Sequence, residues 1–161
     1  MSERKLIILT EGHSNPHTAK TGCSVIRYRR EEVVGVLDAT LAGQNVEEYL
    51  GVGEGLRFIS RIDEAAQANC LLIGIAPPGG KIPESWRPII LQAIASGMNV
   101  VSGLHDFVTD DMEFIAAAKQ QGVDLVMFER TTSLQSHGDL DFARIASEFI
   151  PSDMIAVLAK W

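Results

Sequence analysis

The sequence predicts a three-layer α/β fold: an open parallel sheet of about six strands with helices on both faces. Three observations lead there. Short apolar runs recur along the chain, with helix-patterned stretches between them. Several runs are continuous and not alternating, as strands covered on both faces must be. Strand–helix alternation over 161 residues fills one domain, and right-handed crossovers leave it few topologies. The commonest of these places six strands in the order 3-2-1-4-5-6.

The expected strands are Leu6–Leu9, Val33–Leu37, Phe58–Ile62, Leu71–Ala76, Asn99–Ser102 and Leu125–Phe128. Thr18–Tyr28 follows Pro16 and carries Ala19, Cys23, Val25 and Ile26 at helical spacing. Asn45–Leu50 has room for one or two helical turns, and Asp63–Ala68 opens on an Asp that can cap. Glu84–Ser96 places Trp86, Ile89, Ile90, Ala93 and Ile94 on a helical period and stops at Gly97. Asp110–Gln121 repeats that pattern and stops at Gly122. Residues 1–130 form the expected sheet domain, and residues 131–161 an appendage. Within the appendage Thr131–Gly138 reads as a polar linker, Asp139–Ile150 as a helix ended by Pro151, and Met154–Ala159 as an apolar arm.

Composition narrows the function. Hydrophobic residues are 46% and charged residues 22%, an ordinary globular balance. A formal charge of −7, with scattered cations and two Tyr, speaks against nucleic acid and anionic membranes as partners. Cys23 and Cys70 form no CxxC pair and read as buried thiols, and the four His lack HxH or HExxH spacing, so no metal site is expected. The apolar run at Leu6–Leu9 is too short for a signal peptide, and no stretch approaches a membrane span. A cytoplasmic protein is the expectation.

In an open parallel sheet, ligands bind beyond the carboxyl ends of the strands, where strand order reverses. With the order above, that point lies between the first and fourth strands. The loops after those strands hold the chain's most unusual residues. After the first strand come Glu11, Gly12, His13, His17, Lys20 and Thr21, gathered at a helix N-terminus, where backbone N–H groups attract anions. Thr18 or Ser14 is the expected cap. The triplet Ala19-Lys20-Thr21 is not a P-loop, because Ala19 and Ser14 stand where that motif needs Gly. After the fourth strand, Ala76-Pro77-Pro78-Gly79-Gly80-Lys81 combines a stiff exit, bare backbone and a cation, which reads as an anion cradle. After the fifth, Gly103, His105 and Asp106 offer a candidate general base beside a carboxylate that could instead cap the next helix. Asp38 ends the second strand, where nicotinamide-binding folds hold the acid that bonds a ribose, but the first loop lacks GxGxxG. Gly51-Val52-Gly53-Glu54-Gly55 reads as a turn, and Arg27, Arg29 and Arg30 with Glu31 and Glu32 as a solvated helix end.

Four of these stretches carry a family resemblance. Leu9-Thr10-Glu11-Gly12, Ala19-Lys20-Thr21, Ile73 to Lys81 with its Ala-Pro-Pro-Gly-Gly-Lys, and Val101 to Phe107 with its Ser-Gly-Leu-His-Asp-Phe occur in order. They resemble the N-terminal domain of a bacterial and archaeal two-domain family, long a domain of unknown function, that includes D-glutamate N-acetyltransferases. The resemblance covers roughly residues 4–130. It implies a Rossmann-like fold here and, in the family, a C-terminal P-loop half. About thirty residues that do not align stand in that half's place, so an excised half and a stand-alone relative both stay open.

Three functions follow as expectations. The first is an acyltransferase or half of one. The resemblance implies acetyl-CoA as donor; loop position and chemistry assign Lys20, Lys81 and the helix N-terminus to the carboxylates of an acidic amino acid and His105 or His17 to the amine proton. The second is a non-catalytic module that binds a small anionic metabolite and assembles into a homo-oligomer, or docks on a separate P-loop partner, through the C-terminal arm. The third is an NAD(P)-dependent oxidoreductase domain, supported by Asp38 and opposed by the first loop.

Overall fold

The structure, a computed structural model, describes residues 3–75, 78–102, 108 and 110–127, without the Pro78 side chain. Six strands form one parallel sheet: β1 (Leu6–Leu9), β2 (Val33–Leu37), β3 (Phe58–Ile59), β4 (Cys70–Ile73), β5 (Asn99–Ser102) and β6 (Leu125–Met127). Their order is β3-β2-β1-β4-β5-β6, as the alternation implies. The helices are α1 (Lys20–Tyr28), α2 (Val46–Leu50), α3 (Arg87–Ala95) and α4 (Met112–Gln121). The sheet grows one way to β3 and the other way from β4. Right-handed crossovers therefore put the connections of the two halves on opposite faces.

Burial follows position in the sheet. Every residue of central β1 and β4 is buried, whereas Leu125 and Val126 on edge strand β6 are half-exposed. That is why the central strands read as unbroken apolar runs. β1 and β4 pair in register, Leu6 with Cys70 through Leu9 with Ile73. Their carboxyl ends thus stop level with each other, and the loops after them start side by side.

Two expected strands are shorter than their apolar runs. β3 stops at Ile59, and Ile62 is buried in a 3₁₀ turn, Ile62–Ala65. Glu64, not Asp63, holds that turn, accepting from Ser60 N, Ser60 Oγ and Arg61 N. β4 stops at Ile73, where Gly74 N still donates to Leu9 O at 3.0 Å. The helix expected from Glu84 begins with a 3₁₀ turn, Glu84–Trp86, and becomes α-helical at Arg87, with Pro88 in its first turn, where a missing N–H costs nothing. Ala76, Pro77, Gly103, His105, Asp106, Phe128 and everything proposed for residues 131–161 lie outside the described residues.

Candidate functional site

The loop after β1 is tied to the end of β2. Asp38 follows β2 directly and is 1% exposed. One carboxylate oxygen accepts from Gly12 N at 3.1 Å and Ser14 Oγ at 2.6 Å. The other accepts from Thr40 N at 3.1 Å and Thr40 Oγ1 at 2.6 Å. Ser14 has one hydroxyl proton, and Asp38 takes it, so Thr10 Oγ1 donates to Ser14 Oγ across 2.8 Å. In return, the Glu11 carboxylate accepts from Ala39 N at 2.8 Å. Gly12 sits at φ +74, a left-handed conformation that glycine adopts without strain.

Neither expected cap starts α1. Ala19 stands at the cap position, where its methyl can accept nothing. The turn is organised one step earlier. Asn15 Oδ1 accepts from His17 N and Thr18 N at 3.1 and 3.0 Å, and Thr18 Oγ1 donates to His13 O at 2.8 Å. Lys20 and Thr21 then open the helix, with Lys20 exposed. The two histidines part company. His17 is exposed, whereas His13 is half-buried with its ring edge-on to Trp86, centroids 6.0 Å apart.

Helix α1 lies close against the end of β4. Gly22 N donates to Gly74 O at 2.9 Å. A Cβ on Gly74 would stand 2.4 Å from Ile8 Cγ2 and 3.2 Å from Gly22 Cα. Close helix–strand packing is the task of the third glycine in the dinucleotide fingerprint. Here Gly22 performs it, ten positions after Gly12, so the motif's spacing is absent while one of its functions remains. A glycine inside a helix facing one at a strand end was the available signal.

The β4 side is more open. Pro78–Gly80 makes a single turn, with Gly79 at φ +81 and Gly80 at φ +66. Among the described residues nothing lies within 4 Å of where a Gly79 Cβ would be, and Lys81 is exposed. Trp86, 1% exposed, anchors the segment in the core. Sequence reasoning missed its neighbour Arg87, which grips Asp111 with two N–H groups at 2.6 and 3.2 Å, reaches Glu113, and lies 4.6 Å over the Phe114 ring. Asp111 also caps α4, accepting from Glu113 N and Phe114 N at 3.0 and 3.2 Å. The hydrogen bond from Arg87 is the main reason the Asp111 carboxyl is held below its usual range, against a smaller opposing effect of burial.

The remaining candidates are structural. Burial raises both thiols, that of Cys70 to about 12, so neither is a ready nucleophile. The arginine cluster is not merely solvated. Arg30 holds the glycine-rich turn by donating Nε and Nη2 to Glu54 O at 3.1 and 2.8 Å. Glu32 accepts from Arg4 at 2.7 Å and Arg29 at 2.8 Å. Among the described residues no three His, Cys, Asp or Glu stand close enough to hold a metal, and no helix is long and apolar enough to cross a membrane.

A parallel sheet in this order, with two unusual loops meeting at its reversal point, defines a Rossmann-like α/β domain. The chain belongs to the DUF1611_N family, a Rossmann-like domain of unknown function, whose model matches residues 39–127. It is 32% identical over 104 residues to a D-glutamate N-acetyltransferase of Tritonibacter scottomollicae, a match covering 65% of this chain and 29% of that protein. It is 40% identical over 77 residues to a D-glutamate N-acetyltransferase of Pseudoalteromonas, covering 47% of this chain and 23% of that protein. The chain thus spans under a third of these relatives. The crystal structure of a DUF1611 family protein from Anabaena variabilis superposes with a TM-score of 0.72 at 26% identity, over 84% of this chain and 40% of that one.

Proposed function

We propose that this domain binds a small anionic metabolite at the β1–β4 reversal point and forms part of the site of an N-acetyltransferase acting on an acidic amino acid. The observation that carries the reading is the meeting of the two loops at His13 and Trp86, beside the bare Gly79 turn and the exposed Lys81. Lys20 opens α1 and Lys81 is exposed beside the Gly79 turn, and their positive charge would balance substrate carboxylates. In a direct transfer the amine nitrogen bonds to the acyl carbon of acetyl-CoA as the C–S bond breaks; His17 or His105 takes the amine proton and can pass it to the departing CoA thiolate. The relatives' activity supports the choice of reaction.

The test is thermal unfolding with D- and L-glutamate, their N-acetyl forms, acetyl-CoA, ATP and NAD. A ligand near 100 times its Kd adds about 2.7 kcal/mol. The expected result is a shift with D-glutamate or acetyl-CoA that Lys81→Ala removes. A response to NAD alone would overturn the reading.

A further inference from the structure

We infer that Glu11 and Asp38 form a latch that determines specificity: it closes the crevice between β1 and β2 to the ribose of a nucleotide. In nucleotide-binding domains of this topology, the acid at the end of β2 is free to accept from ribose hydroxyls, and the first loop leaves room for the sugar. Here the acid is present, but its four acceptor positions are filled. Gly12 N and Ser14 Oγ take one oxygen, and Thr40 N and Oγ1 take the other. Asp38 is 1% exposed, so a hydroxyl would first have to displace one of these donors.

The loop is held over the crevice from both sides. Asp38 accepts from the β1 loop, and Glu11 of that loop accepts from Ala39 N, the residue after Asp38. This exchange satisfies a buried carboxylate and a backbone N–H together, so opening the loop exposes both to loss. Thr10 adds a third tie, with its N–H on Leu37 O at 3.1 Å and its hydroxyl on Ser14. The chain keeps the acid of a dinucleotide site and uses it to shut that site. The inference goes beyond the proposed function, since it concerns the β1–β2 side and holds whichever ligand the β1–β4 side takes.

The test compares the full chain with Glu11→Ala/Ser14→Ala, which removes the loop's acid and one of the two donors on an Asp38 oxygen, leaving Gly12 N on it. ADP-ribose is the probe, at about 5 mM, read by thermal unfolding. Amide exchange at Gly12 reports whether the latch has opened. The expected result is no ADP-ribose shift in the wild type, Gly12 exchange faster by about tenfold in the variant, and an ADP-ribose shift acquired by the variant. Should the double variant not fold, Glu11→Ala carries the same comparison, with Glu11→Gln, which keeps the acceptor, restoring slow exchange. Stabilisation of the wild type by ADP-ribose would overturn the inference. So would a folded variant that gains no ADP-ribose shift, whether or not its Gly12 exchange has accelerated.

Discussion

The loops after β1 and β4 leave neighbouring strands at one edge of the sheet, yet the first is closed on itself and the second is bare. On the β1 side, Asp38, Ser14 and Thr10 are joined by hydrogen bonds, and Glu11 accepts from Ala39 N. On the β4 side, Gly79 meets none of the described residues, Lys81 is exposed, and the ion pair of Arg87 with Asp111 is a partly exposed fastening between α3 and α4. A concentration of titratable residues therefore does not by itself mark a ligand site. What separates the two loops is the network of hydrogen bonds that ties the β1 loop to the end of β2.

If that contrast is right, the largest effect comes from Asp38. Asp38→Ala leaves two backbone N–H groups and two hydroxyls without their acceptor, in part-buried hydrogen bonds around a buried carboxylate. The expected loss is roughly 3–4 kcal/mol, a fall in Tm of roughly 10 °C. Urea denaturation checks it, and a loss below about 1 kcal/mol would mean water replaces the carboxylate and the β1 loop is not closed.

Glycines give the next largest contrast. Gly74→Ala drives a methyl to 2.4 Å from Ile8 Cγ2, between β1 and α1, and should cost roughly 2–3 kcal/mol through overpacking. Gly79→Ala meets no atom of the described residues and bears the strain of φ +81, about 1 kcal/mol. Chemical denaturation of the two variants should rank them in that order. Equal costs would show that the β4 turn is as tightly packed as the strand end behind it.

How much of this was legible in the sequence follows the same division. β1, β2 and β5 run over the very residues of their apolar runs, because central strands need unbroken apolar sequence. Ile62 was read as strand because an apolar residue buried in a 3₁₀ turn looks no different from one in a strand. The loops after β1 and β4 stand out in the sequence, since glycine, proline and charge cluster there. The role of Asp38 was not, because its partners Gly12 and Ser14 lie 26 and 24 residues away, and chain topology alone joins them. Arg87 escaped for the same reason, with Asp111 standing 24 positions off.

Acid gives a smaller effect, through Glu32 ahead of β2 and Asp111 at the start of α4. Burial works against the Glu32 carboxylate, but hydrogen bonds from Arg4 and Arg29 outweigh it and hold its pKa down, as the bond from Arg87 does for Asp111. A depressed carboxylate stabilises the fold fully above its unfolded pKa of about 4, and that stability disappears as pH falls through the lower folded value. Both groups are partly solvated, so screening limits their joint contribution to about 1–2 kcal/mol. Stability should therefore be level from neutral pH to about 5 and decline below about 4. Glu32→Gln should lower stability at neutral pH and converge on the wild type at the acid end, since protonation has by then removed the same charge. Asp111→Asn should behave alike and, in addition, loosen amide exchange in the first turn of α4 at neutral pH, where the carboxylate also caps the helix. If exchange on the β4 side instead stayed unchanged in Asp111→Asn, the Arg87–Asp111 pair would not be what fastens α3 to α4, and the rigidity of that side would have to come from the packing of Trp86 and Phe114 alone.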